Sequence, residues 1–355
     1  MSMNAPTPSA EAQLSFLTKI QRLFAEGDFT ATYKFALLMT LADLAVELGA
    51  DDDAALPLSN RQIAERFIQL YWRHAVPYGT GGLGAAPGVL VQNTGTQAAV
   101  LTAIATFRAA SRANTVQQAR REPTYQTLLS KVATVVSAQP LNYLQNFGGI
   151  TDPFLYERVA PGRILLKPGV AYCLRRFYPL VQQLCRIHWV DHIKGNRRNH
   201  GILGDAGDLE DFLFSISRQS LAIIGAELLK LDGPKCFYCG QGLQDAEVDH
   251  FVPFSLYARD VAHNFVLAHA ACNRSKSDSL ASSQHLERWV ERLASYSSQL
   301  DEIGFTAGVP TSRATAHRVA AWGYGNAQSV GARAWVKASL YELVDDRHTG
   351  LLAAA

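Results

Sequence analysis

The chain has 355 residues, 48 % of them apolar, with 33 Lys and Arg balanced against 31 Asp and Glu. That length allows two domains, or one large domain with an appendix, and the apolar share is enough for a real core. The balanced charge excludes a reading of nucleic-acid binding from net charge alone, so only the local distribution of charge can speak to it.

The opening residues, MSMNAPTPSAEAQ, are polar and lack a basic flank followed by an apolar stretch. They do not read as a signal peptide, and residues 1–13 are expected to be disordered. Leu14 to Ala25 and Thr32 to Gly49 have helical periodicity, the second with a glycine stop. Asp51 to Asp53 reads as a solvated loop. Ser59 is a suitable N-cap for a helix over Asn60 to Arg73, with Ile63, Phe67, Leu70 and Tyr71 on one stripe. The start of that helix has the outline of a helix-turn-helix, but no short turn and second helix follow, so it reads as a packed helix. The glycine-rich GTGGLGAAPG that comes instead lacks Gly-Lys-Ser/Thr and is not read as a phosphate cradle.

Gln97 to Arg112 and Tyr125 to Ser137 are again helical in pattern. Ile150 to Gly169, broken by Pro153, Pro161 and Pro168, fits a small hairpin. Val170 to Ile193 reads as one helix, followed by the basic loop Gly195 to Asn199. Asp208 is placed to cap a long helix from Leu209 to Leu231, stopped by Gly233-Pro234. From Arg158 to Arg198 the Lys and Arg residues far outnumber the single acid, Asp191. Such a local excess attracts phosphate, which makes Arg175, Arg176, Lys194, Arg197 and Arg198 candidate nucleic-acid contacts. Cys173 and Cys185 sit in apolar, helix-like surroundings and read as buried free thiols. No apolar run reaches about 18 residues, so no membrane span is expected, and the expected location is the cytoplasm.

The stretch from Cys236 to Lys276 carries the chemistry. Cys236-x-x-Cys239 is answered, after 29 intervening residues, by His269-x-x-Cys272. Two soft-ligand pairs at this spacing are what a tetrahedral zinc needs, and a closed Cys3His set leaves no position for water, so the Zn2+ is read as structural. Between the pairs stand Asp249-His250, with Asn264 and then Asn273 further on. Glu247 to Asp249 reads as a strand, Phe265 to Ala268 as its return, and Ala271 to Ser279 as a helix. Asp249 and Asn273 offer hard oxygens to a Mg2+ or Mn2+ ion, and His250 is placed to take a proton from an attacking water. Successive strand residues point to opposite faces, so a bend or bulge is expected if Asp249 and His250 serve one site. His263 is expected at the surface. Arg274 and Lys276 lie on the helix with Asn273, either as phosphate contacts or as a solvated face.

These residues, with Pro253 and the Cys-Asn-x-x-Lys of 272–276, resemble the HNH endonuclease family in its zinc-knuckle subclass. His269 stands where a Cys is commonest, and Asn273 where the last His would be, which makes an HNN variant. The resemblance covers about residues 234–282. It implies a ββα-metal fold, with Asn264 ordering the loop and the His250 ring, and hydrolysis to a 5′-phosphate and a 3′-hydroxyl. The fold class expected is therefore mainly α: a helical domain over 14–231, an HNH module over 232–282, and a helical extension over 283–355. The expected partner is DNA, with a homodimer attractive because one module cuts one strand. The arrangement resembles bacterial HNH proteins of defence and restriction type, where another defence-system protein is a further partner. A non-catalytic zinc-dependent DNA-binding or scaffolding protein with a decayed HNH core, and an RNA-cleaving nuclease, stand as alternatives.

Overall fold

Tyr33 to Glu47 is apolar on every side apart from Lys34, Thr40, Asp43 and Glu47, and a helix of that composition has to be surrounded. In the computed structural model, which describes residues 6–79, 87–204 and 209–353, it is. The chain divides into two compact units between Ser215 and Ile216.

The first unit comprises α1 (Ala10–Glu26), α2 (Tyr33–Leu48), β1 (Leu56–Ser59), α3 (Asn60–Trp72), α4 (Ala99–Ser111), α5 (Val116–Arg121), α6 (Tyr125–Ala138) and α7 (Pro140–Tyr143). It continues with β2 (Asn146–Phe147), β3 (Ile150–Thr151), β4 (Tyr156–Ala160), β5 (Arg163–Leu166), α8 (Val170–Arg176), α9 (Tyr178–Gly195), α10 (His200–Leu203) and α11 (Leu209–Phe214). α2 is the central rod, packed by α3, α8 and α9, and α3 packs in turn on α4 and α6. Each fully buried Leu or Phe on these faces contributes on the order of 2 kcal/mol. The two carboxylates buried with them are paired. Asp43 accepts from the Tyr178 hydroxyl at 2.8 Å and from Gln182 at 2.9 Å, and Glu47 pairs with Arg66. α3 is a core helix with a complete capping box at Ser59 and Gln62.

Several boundaries differ from expectation. α1 begins at Ala10 because the Ser9 hydroxyl accepts from Ala12 N, so residues 10–13 are helical rather than disordered. The single helix expected over Val170 to Ile193 is two, broken at Phe177, with Pro179 in the first turn of α9 where its missing N–H costs nothing. The long helix expected from Leu209 also breaks, and Ser217 caps the next one. Asp205 and Asp208, and most of the glycine-rich loop, lie outside the described residues. β1 was not foreseen. It pairs antiparallel with β5, which also pairs with β4, in the order β1-β5-β4.

The second unit comprises α12 (Arg218–Asp232), β6 (Glu247–His250), β7 (Phe265–Ala268), α13 (Ala270–Lys276), α14 (Ser283–Ser295), α15 (Ser297–Ala307), α16 (Arg313–Ser329), β8 (Arg333–Lys337), β9 (Leu340–Leu343) and α17 (Asp346–Ala353). α12 packs on β6, β7 and α15, so the second unit starts ahead of it rather than at residue 232. The C-terminal region is not purely helical. β8 and β9 form an antiparallel ribbon, and Trp335 on β8 accepts from Ser282 N at 2.8 Å and donates to Leu280 O at 2.7 Å. Trp289 of α14 stacks on Phe251 at 4.7 Å, and Arg292 makes a two-pronged ion pair with Asp232. Gly304 of α15 lets the backbone approach the turn at 262–264, since a Cβ there would meet Thr311 Cγ2 at 2.2 Å and Ala262 Cβ at 2.8 Å. No helix among the described residues is long and apolar enough to cross a membrane.

Candidate metal centre and active site

β6 and β7 pair without a break, from Glu247 opposite Ala268 to His250 opposite Phe265. α13 follows β7 after His269 alone, which makes a ββα unit of the two strands and the helix. The turn at Cys236 to Cys239 docks on this frame by Phe237 N donating to Leu267 O at 2.8 Å.

Cys236, Cys239, His269 and Cys272 place their ligand atoms within 4.8 Å of one another, close enough for small side-chain rotations to reach the edges of about 3.8 Å of a tetrahedral ion with bonds of about 2.3 Å. Among the described residues they are the one group of His, Cys, Asp or Glu side chains gathered this way. His269 Nε2 lies 3.0 Å from the Gly242 carbonyl, which only accepts, so Nε2 carries the proton. Nδ1, 3.4 Å from Cys239 Sγ, is then the lone pair left for a metal, oriented by that outer hydrogen bond. Burial pushes the Cys236 thiol up, but the backbone N–H groups of Cys239, His269 and Tyr238 outweigh it and bring the group down to about 7. The donor set fits a structural zinc.

The second constellation lies on the strands and α13. Asp249 is buried; its Oδ2 accepts from the Tyr238 hydroxyl at 2.5 Å and pairs with Lys276 Nζ at 3.1 Å. Asn273 donates to Glu247 Oε2 at 2.9 Å. Glu247 and Asp249 are two apart on β6 and share a face, so α13 brings Asn273 to the face that carries Asp249. Their oxygens suit a hard cation that keeps most of its waters. Asn264, 4 % exposed, clamps the chain just after β6: its side chain accepts from Val252 N and donates to Val252 O, both at 2.8 Å.

The bend expected between Asp249 and His250 is absent, because the register runs unbroken through both, and they leave β6 on opposite faces. The His250 ring packs against Phe254 and Phe265, and its Nε2 lies 2.8 Å from Asp260 Oδ1. Lys276 joins the two neighbours, since it also donates to the His250 carbonyl at 2.9 Å. Two further expectations for this module change. Lys276 is 1 % exposed, so it is neither a surface phosphate contact nor a solvated side chain. Burial lowers its pKa against the opposing pull of Asp249. His263 is fully buried rather than at the surface, because α15 covers its turn.

The basic segment of the first unit is not one patch. Arg175 is buried and spends its guanidinium on Val46 O and Gly49 O at the end of α2 and on Asp51, so it is a helix cap and no nucleic-acid contact. Asp51 is thereby held rather than simply solvated. Lys167 pairs with Glu157 at 3.0 Å. Arg176, Lys194, Arg197 and Arg198 are exposed, as is Arg274 on α13. Sequence reasoning missed Tyr238, Glu247 and Asp260 as site residues. Tyr238 lay inside the knuckle and Glu247 beside Asp249, but Asp260 reaches His250 only through the loop between the strands, a link with no local signal.

Residues 236–282 match the family model described as HNH endonuclease, and the Cys3His cluster falls within it. The module is thus of the class its strands, helix and metal cluster define, with nuclease or nucleic-acid-binding function. The chain as a whole belongs to the family described as Domain of unknown function (DUF8808), whose model matches residues 13–213, more than half of it. No curated protein and no solved structure gives a significant match to the chain.

Proposed function

We propose that the protein is a divalent-metal-dependent endonuclease that hydrolyses DNA phosphodiester bonds at β6 and α13. The observation that carries this reading is the oriented His250–Asp260 pair on the strand whose other face carries Asp249 with Asn273 nearby, in a module that already has a zinc clamp. A zinc-bound DNA-binding ribbon needs the clamp and none of the rest.

In this reading Asp260 accepts the Nε2 proton of His250, which leaves the Nδ1 lone pair as general base for the attacking water. The water oxygen attacks phosphorus, its proton passes to His250, and the bond to the 3′ oxygen breaks; that oxygen takes a proton from solvent, giving a 5′-phosphate and a 3′-hydroxyl. Asp249 and Asn273 would hold a Mg2+ or Mn2+ ion, which would supply stabilisation of the negative charge that develops on the phosphate and the leaving oxygen. In-line displacement puts attacking and leaving oxygens on opposite sides of phosphorus, so the base has no need to touch the ion's ligands. Lys276 and Asn264 fix the strand end from which these groups project. Arg176, Lys194, Arg197, Arg198 and Arg274 are the proposed backbone contacts, with restriction of foreign DNA as the proposed role and the helical unit as selector or gate.

The test is cleavage by zinc-loaded, full-length protein of a panel of plasmid, modified phage DNA, single strands and RNA with Mg2+ or Mn2+. His250→Ala should lower cutting by about a hundredfold or more, with zinc content and melting unchanged. If both proteins bind DNA and neither cuts, the non-catalytic reading replaces this one; cutting confined to RNA changes the substrate.

A further inference from the structure

Tyr238 stands between Cys236 and Cys239, on the knuckle turn that docks against β7. The carbonyls of Phe237 and Tyr238 accept from Arg288 of α14 at 2.9 and 3.1 Å, which fixes the turn from behind. Its ring is buried, edge-on to His285 at 5.3 Å and to Trp335 at 5.2 Å, with Lys276 Nζ at 5.8 Å from the ring centre. The phenol reaches across the module to Asp249. A carboxylate only accepts, so Tyr238 is the donor.

The choice of oxygen matters. Tyr238 and Lys276 both hold Oδ2. Two donors on one oxygen fix the plane of the carboxylate and leave Oδ1 as the oxygen to face a cation. Lys276 comes from α13 and shares its ammonium with the His250 carbonyl; Tyr238 gives its one hydroxyl proton to Asp249 and is delivered by the Cys236–Cys239 turn.

We propose that Tyr238 is a positioning residue that couples the zinc knuckle to the acid site: an intact knuckle aims the phenol, the phenol aims Asp249, and the affinity for the divalent ion follows. The inference rests on the nuclease reading above, because it takes Asp249 to be a ligand of that ion. Coupling of this kind is reciprocal, so occupation of the acid site must also be felt at the knuckle.

The experiment uses full-length, zinc-loaded wild type, Tyr238→Phe and Trp335→Phe, with Mn2+ affinity read from the paramagnetic resonance of the free ion. Trp335→Phe removes the indole bond to Ser275 and spares Asp249, so it controls for packing around the ring. Tyr238→Phe should bind Mn2+ about tenfold more weakly, the usual cost of losing an outer-shell partner, with zinc content and melting unchanged. Trp335→Phe should bind like wild type. In cobalt-substituted wild type, added Mg2+ should perturb the thiolate-to-cobalt absorption; this readout does not depend on any variant folding. Equal Mn2+ affinity in wild type and Tyr238→Phe, or an equal loss in Trp335→Phe, overturns the coupling and leaves the nuclease reading standing. A silent cobalt spectrum in protein that binds Mg2+ overturns it as well. Wild type that binds no Mn2+ at the acid site removes the nuclease reading itself, and the coupling with it.

Discussion

Helix α2 is buried from Tyr33 to Glu47, whereas in the seven-residue α13 Lys276 alone is buried. The first is held by apolar area, as a rod inside its unit. The second is too short to persist by propensity, and no apolar face anchors it. Its residues are tied one by one: Cys272 to the metal cluster, Asn273 to Glu247, Ser275 to Trp335, Lys276 to Asp249. A region held by area tolerates the loss of any one contact. A region held by a few directed bonds does not, but it can place four different side chains in a fixed order along less than two turns.

The largest effect expected from this contrast is at the knuckle. Cys236→Ser should release zinc and unfold the module around it while the helical first unit keeps its own melting transition, because metal binding is folding energy for a small module. Retention of full zinc and an unchanged melt would break the comparison. A smaller effect belongs to the first unit. Burial pushes the His74 imidazole down to about 4, the Leu213 carbonyl opposing only in part. The unfolded chain, titrating near the ordinary value of about 6.5, binds that proton more readily. The stability contributed by neutral His74 is therefore complete above about pH 6.5 and is lost as pH falls toward about 4, amounting to roughly 3 kcal/mol. Thermal melts between pH 7.5 and 4.5 should show the first transition falling, and His74→Phe should flatten that fall; a parallel fall in the variant assigns it elsewhere. The smallest effect is at the surface. Replacing Arg197 and Arg198 together by Gln should weaken DNA binding and reduce the slope of log affinity against log salt by about two, one per phosphate contact. An unchanged slope moves the footprint off this loop.

Much of both units was legible locally. Ser59 capped α3 as expected of it, and Phe265 to Ala268 formed the expected return strand. The boundaries that moved did so for local reasons, a proline at the start of α9 and a serine cap before α12. What stayed hidden depended on distant partners. β1 needs β5, more than a hundred residues on, to be a strand at all. Arg175 looked like one more charge in a basic run until the carbonyls at the end of α2 claimed it.

The sequence by itself determined the chemistry on offer: which thiols and imidazole make a soft metal set, and which carboxylate, amide and second imidazole stand beside it. Spacing along the chain is enough for that, because ligand pairs within a turn meet without help from the rest of the fold. Only the tertiary structure decided how those groups are held. It set His250 against Asp260 and away from the Asp249 face, buried Lys276, and ran the phenol of Tyr238 from the knuckle to Asp249. Those links join residues whose only relation is packing, and packing is a property of the whole unit rather than of any window of sequence.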